Sequence, residues 1–251
     1  MTILTGGAAV IDDSPTQIEG SRSFRVPVSK AMGARDILQA ISRYSSGPAP
    51  ARRNPVGEEV LYVARGEGVC HLDGHRYPLR PGVAVYIPPG SVFQIENTER
   101  KEESKILEVV SVCCPQDDRT EIGVPLAEPD PNDTMPFRTV HEDQQTAIPA
   151  GDRTFKLLVN KSLGCNRVTQ FVGTIPPGRA PMHHHSYEEA IYILDGHGCV
   201  WTDDGHADFK PGSSIYLPRG VSHCLENTGR LNVKLLGVFH PSGSPGEAYQ
   251  D

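Results

Sequence analysis

The chain carries the same pattern twice. Glu59 and Glu189 stand 130 residues apart, and that interval also separates Gly66 from Gly196, Gly82 from Gly212, Pro88 from Pro218, Gly90 from Gly220 and Asn97 from Asn227. Upstream the interval is 131, joining Phe24 to Phe155, Lys30 to Lys161, Gly33 to Gly164 and Gln39 to Gln170. Self-similarity at a fixed spacing marks a duplicated structural unit. The 251 residues therefore divide into two units of viable core size rather than one large domain. The expected organisation is a first unit over 1–114, a connection over 115–150 and a second unit over 151–251.

Each unit reads as all-β. The runs 59–64, 84–87, 106–112, 190–194, 214–217 and 233–239 are short and rich in branched residues, and 25 glycines and 22 prolines suit tight turns between strands. The stretch from 115 to about 151, with Glu128-Pro129-Asp130-Pro131-Asn132-Asp133 at its centre, predicts a connection that wraps one unit. The charged run 96–105 is longer than its counterpart beginning at Glu226 and predicts an extended exposed loop, and 241–251 predicts a mobile tail.

The second unit contains His183-x-His185-x3-Glu189, followed by His223 within Gly212-x5-Pro218-x-Gly220-x2-His223-x3-Asn227. Strand alternation sends every second side chain to one face, so His183, His185 and Glu189 project together while His184 and Cys224 turn away. Pro218 and Gly220 form a turn that brings His223 to the same place. Imidazole suits Fe, Mn, Zn, Ni and Co, and one carboxylate offsets part of a divalent charge. Three His and one Glu around a six-coordinate ion leave two positions for substrate.

These motifs and their repetition resemble the cupins, specifically a two-domain bicupin, over roughly 24–112 and 155–240. The resemblance implies two tandem double-stranded β-helix (jelly-roll) barrels, with His183, His185, Glu189 and His223 as ligands of one divalent transition metal per chain. In the first copy, subtracting 130 sets Arg53 against His183, Pro55 against His185 and Phe93 against His223, leaving Glu59 alone. Arg stays protonated and Phe has no donor atom, so no transition metal is expected there. Arg53, Glu59 and Phe93 instead define an altered pocket, with Arg53 paired to Glu59 or binding an anion.

A net charge of −7 argues against nucleic acid or an anionic membrane as partner. Residues 1–13 lack the basic and apolar regions of a secretion signal, so cytoplasm is expected. The six cysteines show no Cys-x2-Cys pairing and are expected as buried thiols. His197 and His206 are expected at the surface, whereas Tyr192 and Trp201 either line the second cavity or pack outside it. Cupin barrels often pair through edge strands, so the resemblance suggests a homodimer.

For function, the resemblance implies a metal-dependent enzyme, first a dioxygenase acting on a small chelating substrate, with Glu189 both ligand and proton acceptor. Two alternatives remain: a metal-dependent isomerase, lyase or decarboxylase of a sugar or small carboxylic acid, and a binding protein that breaks no bond.

Overall fold

The structure is a computed structural model and describes residues 1–99, 106–116, 119–128 and 134–246. All of the 128–133 run but Glu128, most of the charged 96–105 loop and the end of the tail lie outside the described residues. Within them, regular structure is almost entirely strand, interrupted by four 3-10 turns of three residues each. No helix among the described residues is long and apolar enough to cross a membrane.

The strands form two facing pairs of antiparallel sheets. The first pair has a seven-stranded sheet centred on Glu58–Arg65 and Leu107–Cys114, opposite a five-stranded sheet that includes Arg52–Arg53, Gly68–Leu72 and Val92–Asn97. The second pair has an eight-stranded sheet centred on Glu188–Asp195 and Val233–His240, opposite a four-stranded sheet that includes Gly198–Thr202 and His223–Asn227. These are the two barrels of an internally duplicated jelly roll.

The two large sheets are covered on both faces, which explains why their strands are near-continuous apolar runs. In Glu58–Arg65, Leu61 and Val63 fill the first barrel while Val60 and Tyr62 turn the other way. In Glu188–Asp195, Ile191 and Ile193 fill the second barrel while Ala190 and Tyr192 turn outward. The outward sets meet in one shared core, so the barrels pack back to back.

Their boundaries differ from the expected division. Ala9–Ile11, fully buried, pairs with Ser214–Leu217 and so belongs to the second barrel's sheet. Conversely Thr139–His141 and Glu121–Ile122, both in the connection, pair with Val83–Val85 and Arg52–Arg53 of the first barrel. Each segment covers a sheet edge that would otherwise present unpaired backbone groups.

A reciprocal pair of buried carboxylates ties the copies together. Glu188 accepts backbone N–H bonds from Arg35, Asp36 and Ile37 at 2.9, 2.6 and 3.0 Å, and a bond from the Tyr216 hydroxyl at 2.9 Å. Glu58 does the same in reverse, accepting from the N–H groups of Asn166 and Arg167 at 3.1 and 2.8 Å and from the Tyr86 hydroxyl at 3.2 Å. Both carboxylates are buried, so removing their charge leaves donors poorly satisfied. Glu188→Gln is expected to cost about 1.5–3 kcal/mol, the range for a hydrogen bond to a charged group. The check is the urea midpoint, followed by far-UV circular dichroism and by fluorescence of Trp201, the sole tryptophan; an unchanged midpoint refutes the clasp.

Candidate metal centre

His183, His185, Glu189 and His223 all line one cavity of about 70 Å³ inside the second barrel. His183 and His223 face each other across an antiparallel bridge, exchanging backbone hydrogen bonds of 3.0 and 2.8 Å. The His185 carbonyl accepts the Gly220 N–H at 2.9 Å, which seats the Pro218–Gly220 turn beside the first motif. Ring centroids of His223 lie 4.7 Å from His183 and 4.8 Å from His185, and those of His183 and His185 are 6.4 Å apart. Glu189 Oε2 lies 3.3 Å from His185 Nε2.

The three imidazoles are held in one tautomer. Each Nδ1 meets a backbone carbonyl: Pro181 at 3.1 Å for His183, Tyr187 at 2.8 Å for His185, and Val221 at 2.8 Å for His223. With the hydrogen on Nδ1, the lone pair sits on Nε2, the arrangement found when a backbone carbonyl orients a metal-ligating histidine. His185 Nε2 is buried without a hydrogen bond and faces Glu189 Oε2, so two acceptors oppose each other. A proton or a divalent cation between the two atoms would resolve that pair, and three imidazoles with one carboxylate are a donor set whose chemistry suits a divalent transition ion. Burial drives the acidity of the rings the same way. Desolvation lowers the pKa of His183, and desolvation followed by the neighbouring His185 lowers that of His223 to about 3, keeping both rings neutral and able to donate.

Neighbouring residues fix the ligands. Tyr187, buried between them, stacks on His185 at 3.9 Å and on Phe239 at 4.1 Å. Gly237 makes room for Glu189 and Phe171: a Cβ there would approach Glu189 Oε1 to 2.8 Å and the Phe171 ring to 2.3 Å. Phe155, Phe171, Ile191, Leu225 and Leu235 supply an apolar wall, and Arg153 stands among them. Tyr187 and Arg153 were not expected from the sequence. Tyr187 shares the odd-number parity of the motif, and Arg153 shares the 131 interval with Arg22, so both carried a legible signal.

The first copy corrects the expected pocket. Arg53 does not meet Glu59; it projects outward and pairs with Glu121 Oε2 through Nη2 at 2.6 Å, both half exposed. Arg52 takes the inner position, with Nη2 3.5 Å from Glu59 Oε1 and its guanidinium 4.8 Å from the Phe93 ring centroid. The cause is the register. Phe93 pairs with Arg52 as His223 pairs with His183, and the Asn54 carbonyl accepts the Gly90 N–H as His185 accepts that of Gly220. The interval is thus still 131 at this point, and the extra residue of the first copy falls between Asn54 and Glu58. Asn54, not Pro55, occupies the His185 position, and its Oδ1 is taken by the N–H groups of Val56 and Gly57. A guanidinium therefore supplies the positive charge beside Glu59.

Other expectations resolve by facing. His184, His197 and His206 are exposed. Cys224 Sγ accepts from Arg179 Nε at 3.3 Å, and all six cysteines are free thiols. Neither aromatic lines the cavity: Tyr192 donates to Glu108 of the first barrel at 2.9 Å, and Trp201 donates to Glu226 at 2.7 Å beside His206.

The cupin domain model matches residues 45–110 and 171–239, together more than half of the chain. The chain belongs to the cupin family. Among curated relatives, the oxalate-binding protein of Thermotoga maritima is 34% identical over 67 residues, 26% of this chain and 55% of that protein. The chain spans about half the length of the curated relatives it matches. Oxalate decarboxylase from Bacillus subtilis superposes with a TM-score of 0.76 at 14% identity, covering 97% of this chain and 78% of that one. Protein Ylba from E. coli superposes with a TM-score of 0.72 at 15% identity, covering 95% and 93%. At these identities the superpositions establish the two-barrel fold alone.

The depressed His223 pKa has a sign that can be tested on metal-free cupin. Below the ordinary value of 6.5 the unfolded chain takes up a proton that the native ring refuses until about 3, so native stability falls as pH drops through that window. The urea midpoint of chelator-treated protein is expected to decline from pH 7 to pH 4 more steeply than that of His223→Gln. Parallel profiles would falsify the assignment.

Proposed function

We propose that the protein is a metal-dependent enzyme whose second barrel binds one divalent transition metal through His183, His185, Glu189 and His223 and acts on a small chelating carboxylic acid. The observation that carries this reading is the opposition of His185 Nε2 and Glu189 Oε2 at 3.3 Å in a cavity whose wall is largely apolar. That geometry is costly unless a proton or a cation lies between the two atoms, and a divalent cation also gives the neighbouring imidazoles a partner. When bound, the metal supplies Lewis acidity toward a carboxyl or carbonyl oxygen of the substrate.

The chain's own groups then have defined parts. The carbonyls of Pro181, Tyr187 and Val221 orient the three rings, and Tyr187 and Gly237 hold His185 and Glu189 in place. The aromatic and aliphatic wall limits water around the reacting groups, which strengthens every charge interaction inside. Glu189 has a second oxygen, Oε1, available to hold the proton that an acidic substrate gives up on binding.

Non-oxidative chemistry of the lyase or decarboxylase type is favoured over the dioxygenase expected from the sequence. A cavity of about 70 Å³ suits a molecule of few heavy atoms better than a flavonol, and relatives of this chain include an oxalate-binding protein. The first barrel, with Arg52 beside Glu59, takes no metal in this reading.

Elemental analysis of protein purified without chelator is expected to return about one divalent metal ion per chain. His185→Ala and His223→Ala should remove most of it, since loss of one ligand commonly costs orders of magnitude in affinity, and Phe93→Ala should not. Two ions per chain contradict the assignment. Screening small carboxylic acids with and without oxygen separates the reactions: anaerobic turnover supports the lyase reading, oxygen consumption matched to substrate loss returns it to a dioxygenase, and tight binding with the acid recovered unchanged makes the protein a binder.

A further inference from the structure

Arg153 lines the cavity and carries a charge that the metal centre does not use. Its residue exposure is 8%, and Nη2 is buried without a hydrogen bond. Nε donates to Asp152 at 3.1 Å, an exposed carboxylate. Within Arg153–Val159, Arg153 shares a face with Phe155, and both line the same cavity as the three histidines and Glu189. A buried guanidinium edge with no acceptor is expensive, because a charged group taken from water needs partners.

The duplicated half shows what this position looks like when it is closed. Arg22 is the counterpart of Arg153 at the 131 interval and is equally buried. There Nη1 donates to Glu19 Oε2 and Nε to Ser42 Oγ, both at 2.9 Å. Glu19 pairs with Arg22 in the sheet as Ala150 pairs with Arg153, and Ser42 pairs with Phe24 as Gly173 pairs with Phe155. The second copy therefore keeps the arginine and replaces both acceptors with residues that have none, Ala150 and Gly173. The barrel whose arginine has lost these acceptors is the one that carries the histidine cluster.

We propose that Arg153 receives an acid group of the ligand, so that the second cavity selects a small dianion whose other oxygens chelate the metal. This rests on the reading of that cavity as a metal centre. Among the groups lining the cavity, a divalent ion, the Glu189 carboxylate and the Arg153 guanidinium sum to two positive charges, which a dicarboxylate neutralises; Asp152, paired with Nε, is exposed, so solvent screens its charge. The planar fork of donors suits a carboxylate better than a lysine ammonium would. Arg153 is thus a specificity-determining residue, and Asp152 holds its Nε so that the Nη2 edge faces inward.

The test is calorimetry on the full chain loaded with Mn(II), comparing oxalate, malonate and succinate with their monoamides oxamate, malonamate and succinamate. At least one diacid is expected to bind about tenfold or more tighter than its monoamide, a difference of about 1.4 kcal/mol. Arg153→Met should reduce that preference to about twofold or less while metal content stays near one per chain, as loss of a charge-assisted bond predicts. Ala150→Glu restores the acceptor found in the first copy and should quench the preference with Arg153 still present, which separates recognition from mere folding. A diacid preference that survives both substitutions, or its absence in the metal-loaded wild type, overturns the role of Arg153 alone. A wild-type chain that takes up no Mn(II) overturns the metal-centre reading and this inference with it.

Discussion

Two glutamates buried in the opposite copy's backbone, Glu58 and Glu188, hold this molecule in register. Each sits one residue before the inward Glu of its own barrel, Glu59 or Glu189, so neighbouring side chains on one strand point to opposite faces. The outward carboxylate grips a loop of the other copy through several N–H groups, while the inward one enters the cavity. Docking of the barrels and placement of the candidate metal ligand are consequences of the same strand position. A slip of one residue would exchange the two carboxylates and lose both.

Around that frame the copies satisfy their buried charges in different ways. In the first barrel the described interior arginines are partnered by the chain itself: Arg52 lies against Glu59 and Phe93, and Arg22 against Glu19 and Ser42. In the second barrel the corresponding positions hold histidines, an alanine and a glycine, and what remains is a carboxylate facing an imidazole lone pair and a guanidinium edge without an acceptor. A ligand that pairs buried groups of this kind favours the native state.

Much of this was legible in the chain. The interval of 130 located both barrels, and the runs 59–64, 84–87, 106–112, 190–194, 214–217 and 233–239 fall on observed strands. Parity placed His184 outside and His183, His185 and Glu189 on one side, because a period of two is a property of the extended backbone itself. The pairing of Arg53 with Glu59 failed for the same reason. Asn54 and Glu58 bracket one extra residue in the first copy, and a shift of one reverses every facing, so Arg52 and not Arg53 turned inward.

The amino-acid sequence alone determined the duplication, the all-β character and the candidate ligand set, since all three follow from local periodicity and side-chain chemistry. It could not decide which sheet receives Ala9–Ile11 or Thr139–His141, because an edge is completed by whichever strand reaches it in space. Nor could it decide that Tyr192 faces the other barrel, or that Glu188 spans the interface. Those depend on two sheets packing back to back, and only tertiary contact distinguishes a face covered by a second barrel from one that encloses a cavity.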